Sequence, residues 1–442
     1  MTTVPPTATT PHPGRVEAPP PPAVRPLISL GGSPGRSGAD RGPERRVVLA
    51  GIMGAAGFVA AAAVVLLTGL GGGGSWLPLH LALAGGAGLA IATLLPHFTI
   101  SLAGARPAPA RIRLAGLALT AGGASAVAIA FPLGASLVAV LGASAYLAGI
   151  AVCAATAFIP AGAGLGRRFG IVEAAYALAL INAALAVSLA MLRLGDVATV
   201  DGAWLGLKPA HAWLNLVGFL SLVVAATLVH LYPTVVGSRI RSRPALLGLV
   251  AGIGLGAPTT ALGYAVGLSW LAQLGALAVV AGAGALAIVA VGAWPARGQW
   301  TTDPGWHLLI TGHLSAAVAW FGIGAVILAI AILWNGTAPS GWSLPRVIGP
   351  IVLGWALQAL MGAWSHLLPA VGPGDAARHS AQRRELGRWA TLRLVAWNAA
   401  AALVTAGAFW PGWLSVFGLA LVGITLLVAF VLLARALVVR VR

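Results

Sequence analysis

Charged residues interrupt this chain only at long intervals. Between them run apolar stretches of about twenty residues, the length a helix needs to cross a hydrocarbon layer about 30 Å thick. Twelve such stretches follow one another, at 47–70, 77–103, 112–132, 135–160, 171–192, 211–236, 244–267, 270–293, 306–333, 346–370, 389–409 and 413–437. The pattern predicts an all-α polytopic membrane protein of about twelve transmembrane helices. The least marked break, at Phe131-Pro132, separates spans three and four. Residues 1–45 differ from the rest, being rich in Pro, Gly, Thr and Arg and lacking the apolar core of a signal peptide. They are expected to form a disordered cytoplasmic tail ahead of a membrane domain at 46–442.

Composition agrees. Only 8% of the 442 residues are charged and 59% are hydrophobic, against roughly 25% charged in a soluble domain. The excess apolar surface must face lipid. The formal charge of +17 suggests nucleic acid at first sight, but the arginines sit in short segments between spans. Arg41, Arg45 and Arg46 precede span one; Arg106, Arg111 and Arg113 follow span two; Arg167 and Arg168 follow span four. Arg239, Arg241 and Arg243 follow span six, Arg297 follows span eight, and Arg378, Arg383, Arg384 and Arg388 follow span ten. Arg435, Arg440 and Arg442 close the chain. Every even-numbered exit is basic, while odd exits are nearly neutral or, at 193–209, mixed with Asp196 and Asp201. The positive-inside rule therefore predicts both termini cytoplasmic and explains the charge without nucleic acid; the localisation expected is a bacterial-type plasma membrane.

A repeat is visible at the inner ends of spans two, six and ten. They read Leu94-Leu95-Pro96-His97, His230-Leu231-Tyr232-Pro233 and His366-Leu367-Leu368-Pro369. Pro96, Pro233 and Pro369 are 137 and 136 residues apart. That spacing predicts three groups of four helices, each with a proline closing its second helix and a histidine beside it.

Histidine is costly within lipid, yet eight of the nine lie in or beside spans; His12 is in the tail. Carboxylates avoid the spans, Glu173 lying only at the end of span five. Neutral imidazoles without carboxylates suit haem iron or copper better than magnesium or calcium. His80 and His211 fall near the outer face; His97, His230, His307, His313 and His366 fall near the inner one, and His379 in an Arg-rich, solvated loop. His80 and His97 are about 25 Å apart along their helix and His211 and His230 about 28 Å, so any site must join different helices. The candidate metal or cofactor ligands are His80 with His211 outside, and His97 with His313 inside. His230, His366 and His307 are weaker candidates, and Asn215, one turn after His211, is a candidate to orient that ring. The same histidines also fit a plain interfacial role, hydrogen-bonded to loop carbonyls.

Other features carry less. Cys153 stands alone and forms no disulfide or thiolate cluster within the chain. Gly71–Gly74 lacks the Lys-Ser/Thr of a phosphate loop. Trp76, Trp204, Trp213, Trp306 and Trp342 fit an interfacial aromatic belt. Asn182, Asn215, Gln273, Gln358 and Asn398 suit interhelical hydrogen bonds.

The stretch from His211 through Asn215 and Phe219 to Pro233, and that from Trp76 through His80 to Phe98, resemble the membrane domains of the NnrS-type branch of haem-copper oxidase subunit I-like proteins. They also resemble actinobacterial membrane domains found with copper nitrite reductase-like proteins. The resemblance implies a twelve-helix oxidase-like fold, bound haem and/or copper, and a role in respiratory or nitrogen-oxide electron transfer or in metal-centre maintenance. It also implies a copper-containing redox protein or quinol as partner. This chain departs from the pattern: Trp213 stands where the second His of His-Ala-His is expected, span seven lacks paired histidines, and span ten lacks His-x-His. No proton-uptake carboxylate is evident, so a proton-pumping oxidase is not expected. Two further readings stay open, a transporter or permease, with Ala257-Pro258 a candidate broken helix, and a cofactor-free assembly subunit.

Overall fold

The computed structural model describes residues 42–69, 74–164, 170–239, 242–300, 302–371 and 375–439. The tail before residue 42, Gly71–Gly73, Arg167, Arg168, Arg241, Arg440 and Arg442 lie outside the described residues. Within them the chain is helical, with twelve helices long and apolar enough to cross a membrane. They are Pro43–Thr68, Trp76–Ala103, Ala110–Ala130, Ser136–Gly162, Gly170–Leu194, Ala198–Val236, Arg243–Val266, Ser269–Ala296, Pro304–Asn335, Pro345–Pro369, Ala390–Gly407 and Trp413–Val438. We number them spans one to twelve. The turn at 131–135 separates spans three and four.

Large apolar side chains cover the outside of the bundle, among them Leu67, Leu133, Ile159 and Trp334. Such a surface is stable only against lipid. Span six is the central helix: 78% of its most apolar window is buried, against 22% for spans one and twelve. It touches both span two and span ten.

Small residues set the closest crossings. Spans three and four pack as an antiparallel pair, and so do spans seven and eight, and eleven and twelve. Gly116 and Gly123 face Gly142 and Gly149; Gly256 and Gly263 face Gly275 and Ala272. A seven-residue glycine spacing, two helical turns, keeps these hydrogens on one face, so backbones meet without side chains between them.

Three differences from the sequence reading have physical causes. The mixed segment 193–209 is not a loop: span six begins at Ala198 and runs for 39 residues. Asp201 in its first turn suits the helix dipole and pairs with Arg193 at 2.9 Å. His379 is not in an open loop: it lies half-buried on the helix Ala376–Leu386, whose N-cap Asp375 accepts from the Arg378 amide at 2.9 Å. Finally, the prolines at 96, 233 and 369 do not close their helices, which run on to Ala103, Val236 and Val371.

A proline inside a helix leaves the carbonyl four residues earlier without its N–H. In a span that carbonyl needs another donor. For Pro369 the donor is the Trp306 indole, Nε1 donating to the Ser365 carbonyl at 2.8 Å. For Pro258 it is Asn182, Nδ2 donating to Gly254 at 3.4 Å, and span seven runs unbroken through Ala257 and Pro258.

Spans two, six and ten share a second irregularity. Each contains a π-helical segment: Leu81–Ala87, Leu214–Ser221 and Ile348–Leu357. They end nine, twelve and twelve residues before Pro96, Pro233 and Pro369. The wider turn loosens the helical ladder, and side chains bond to its carbonyls. The Tyr146 hydroxyl donates to Ala84 at 3.0 Å, Ser221 to Leu216 at 2.6 Å, and the Trp397 indole to Leu353 at 3.2 Å. A shared π turn before a shared proline supports the three groups of four helices.

Two outcomes test this packing. A methyl group on Gly123 would lie 2.5 Å from the Gly142 oxygen and 2.6 Å from the Tyr146 nitrogen, whereas one on Gly122 meets nothing. Gly123→Ala is therefore expected to cost about 1–3 kcal/mol in thermal unfolding and Gly122→Ala almost nothing. Trp306→Phe should cost about 1–3 kcal/mol by orphaning the Ser365 carbonyl. Adding Pro369→Ala, which restores an N–H to that carbonyl, should recover part of the loss in a double-mutant cycle.

Candidate functional site

The neutral end of the bundle, opposite the basic loops, brings two histidines together. His80 is the last residue before the π segment of span two, and His211 stands three residues before that of span six. Their ring centroids are 6.4 Å apart and their planes differ by 16°. Both residues are half-buried.

Each ring is held through Nδ1. His80 Nδ1 lies 2.7 Å from the Trp76 carbonyl, one turn earlier. His211 Nδ1 lies 3.0 Å from the Ala186 carbonyl of span five. Carbonyls only accept, so each Nδ1 carries the proton and each Nε2 is left with its lone pair. A carbonyl at Nδ1 also orients imidazoles that bind a metal through Nε2. Trp76 stacks on His80 with centroids 4.3 Å apart, Phe131 packs on Trp76, and Trp204 lies 6.1 Å from His211. Asn215 Nδ2 donates to the His211 carbonyl at 3.0 Å and also faces the His211 Nε2 lone pair at 3.3 Å, so a metal at that nitrogen would displace the amide.

The inner candidates are not gathered in the same way. His97 is half-buried at the basic end, with Arg113 and Glu44 as its charged neighbours. His313 lies in the third group. It is 1% exposed, presents an edge contact to Trp397 at 6.4 Å, and abuts Gly362. Neither of its ring nitrogens has a hydrogen-bond partner among the described residues. His97 and His313 thus have different surroundings.

His307 and His366 belong instead to an aromatic ladder at the basic end. Trp300 stacks on His307 at 5.3 Å, Trp306 meets His307 edge-on at 4.8 Å, and Trp306 stacks on His366 at 5.7 Å. Arg383, paired with Asp303 at 2.7 Å, lies over the Trp306 ring. His230 is half-buried on span six, where its carbonyl accepts from the Thr234 hydroxyl. Among the described residues no three His, Cys, Asp or Glu side chains gather in a metal-binding group.

Trp76, Ala186 and Trp306 were not singled out as partners from the sequence. Trp76 stands one turn before His80, a spacing that brings side chains together on any helix. Ala186 could not be found, because a backbone carbonyl leaves no mark on residue identity. Trp213, where the resemblance expects a second histidine, is 1% exposed in the core.

The donor set favours some groups over others. The two rings lie near one another and near-parallel, and a metal held here would take one nitrogen from each of His80 and His211. Two imidazoles, His80 and His211, would suffice to hold haem or copper. They do not complete a tetrahedral zinc site or an oxygen cage for calcium.

Neither protein-family models nor the curated proteins searched give a match to this chain.

Proposed function

We propose that this integral membrane protein binds haem and/or copper at its neutral end, using His80 and His211 as ligands through Nε2. The observation that carries the proposal is the pair of near-parallel imidazoles, each with Nδ1 tied to a backbone carbonyl. A bound haem or copper would supply one-electron chemistry. The chain's part is to orient the two rings, exclude water with Trp76, Phe131 and Trp204, and tune the centre through Asn215. The role that fits is electron transfer or metal-centre maintenance, with a copper-containing redox protein or a quinol as partner. The recurrence of π turn and proline in spans two, six and ten supports the oxidase-like grouping of helices over two six-helix halves. The charge of the even-numbered loops supports cytoplasmic termini.

Purified protein is expected to carry stoichiometric haem or copper, seen in oxidised and reduced visible spectra and by metal analysis. His80→Ala and His211→Ala should each remove it, and His379→Ala should not. Wild-type protein with neither haem absorbance nor bound copper would overturn the proposal. For the orientation, a C-terminal fluorescent-protein fusion should glow and an alkaline phosphatase fusion at the same site should be inactive; the reverse pattern would invert the topology.

A further inference from the structure

A small cavity lies at the basic end of the first four-helix group, apart from the histidine pair. Its volume is about 10 Å³, close to the least that holds one water molecule. All four helices of the group line it: Val47 from span one, Ala92 from span two, Arg113 from span three, and Cys153 and Thr156 from span four.

Two polar groups at this cavity are unpaired or weakly paired. The Arg113 side chain is 3% exposed, and its Nη1 donates to Glu44 Oε2 at 2.6 Å. Its Nη2 is buried and has no protein partner among the described residues. The second group is the Ala92 carbonyl, four residues before Pro96 and so deprived of its helical N–H. The Cys153 thiol donates to it with Sγ 4.0 Å away, and a thiol is a weak donor.

Glu44 already balances the guanidinium charge, so the cavity does not call for an anion. It calls for a molecule of water size that accepts one hydrogen bond and donates another. We infer that this cavity is a water-binding site. One water accepts from Arg113 Nη2 and donates to the Ala92 carbonyl, with the Cys153 sulfur as a further neighbour. The water completes the pairing of an arginine buried beside lipid and links span three to the proline break of span two. Together with the Arg113–Glu44 ion pair, it joins all four helices of the group through polar contacts. The site is independent of any haem or copper at His80 and His211.

The test combines a high-resolution structure of the full chain in lipid nanodiscs with two substitutions. A density peak within hydrogen-bonding distance of Arg113 Nη2 and the Ala92 oxygen is expected. Cys153→Val replaces the sulfur with two methyl groups at the cavity wall and should lower the unfolding temperature by about 2–4 °C, because it crowds out the water and removes the thiol. Cys153→Ser, which keeps a small polar group beside the water, should change it less. A map that resolves other ordered waters but shows no peak here would overturn the inference. So would a peak too strong for water, or a rise in unfolding temperature for Cys153→Val, since filling a dry cavity stabilises.

Discussion

Within the hydrocarbon layer of a bilayer no water meets a stray carbonyl, so every backbone acceptor in a span must find a donor in the protein. This chain places prolines and π turns inside its spans and so creates such acceptors repeatedly. Ser221 serves Leu216 within span six, but most donors come from other helices. Trp306 of span nine serves Ser365 of span ten, Asn182 of span five serves Gly254 of span seven, and Tyr146 of span four serves Ala84 of span two. Trp397 of span eleven serves Leu353 of span ten. Apolar packing alone distinguishes poorly between helix partners in lipid, because lipid tails are as apolar as leucine. A freed carbonyl distinguishes well, since only one neighbour carries the matching indole, amide or hydroxyl.

The same irregularities place the candidate site. A π turn shifts the face that a helix presents to its neighbours. His80 and His211 stand just ahead of two such turns, and their rings come within 6.4 Å across the interface of spans two and six. Span ten has the third π turn without a histidine ahead of it, and its segment is tied instead to Trp397. One structural device thus recurs three times, and two of its copies carry the imidazoles.

Close backbone approach is the second organising feature. Gly123 against Gly142, and Gly256 against Gly275, leave no room for a methyl group. These crossings draw the last two helices of the first and second groups into tight pairs, leaving the second helix of each group free to meet its counterparts at the centre. Charge is confined to the ends. Arg113 pairs with Glu44, Arg383 with Asp303, and Glu385 with Arg388 and Arg435, all at the basic end.

The twelve spans, their approximate limits and the threefold recurrence of proline were legible from residue order, because hydropathy and helix length act locally and the bilayer fixes the length. So was the placement of His80 and His211 at a common level, which follows from counting residues along two helices. Residue order did not reveal the helical start of span six at Ala198, the passage of helices through Pro96, Pro233 and Pro369, or the π turns. Each depends on a donor or ion-pair partner that residue order does not mark, or on a register that only packing selects. The carbonyls of Trp76 and Ala186 that hold the two imidazoles were hidden for the same reason: every residue has a carbonyl, and only the fold decides which of them faces a ring.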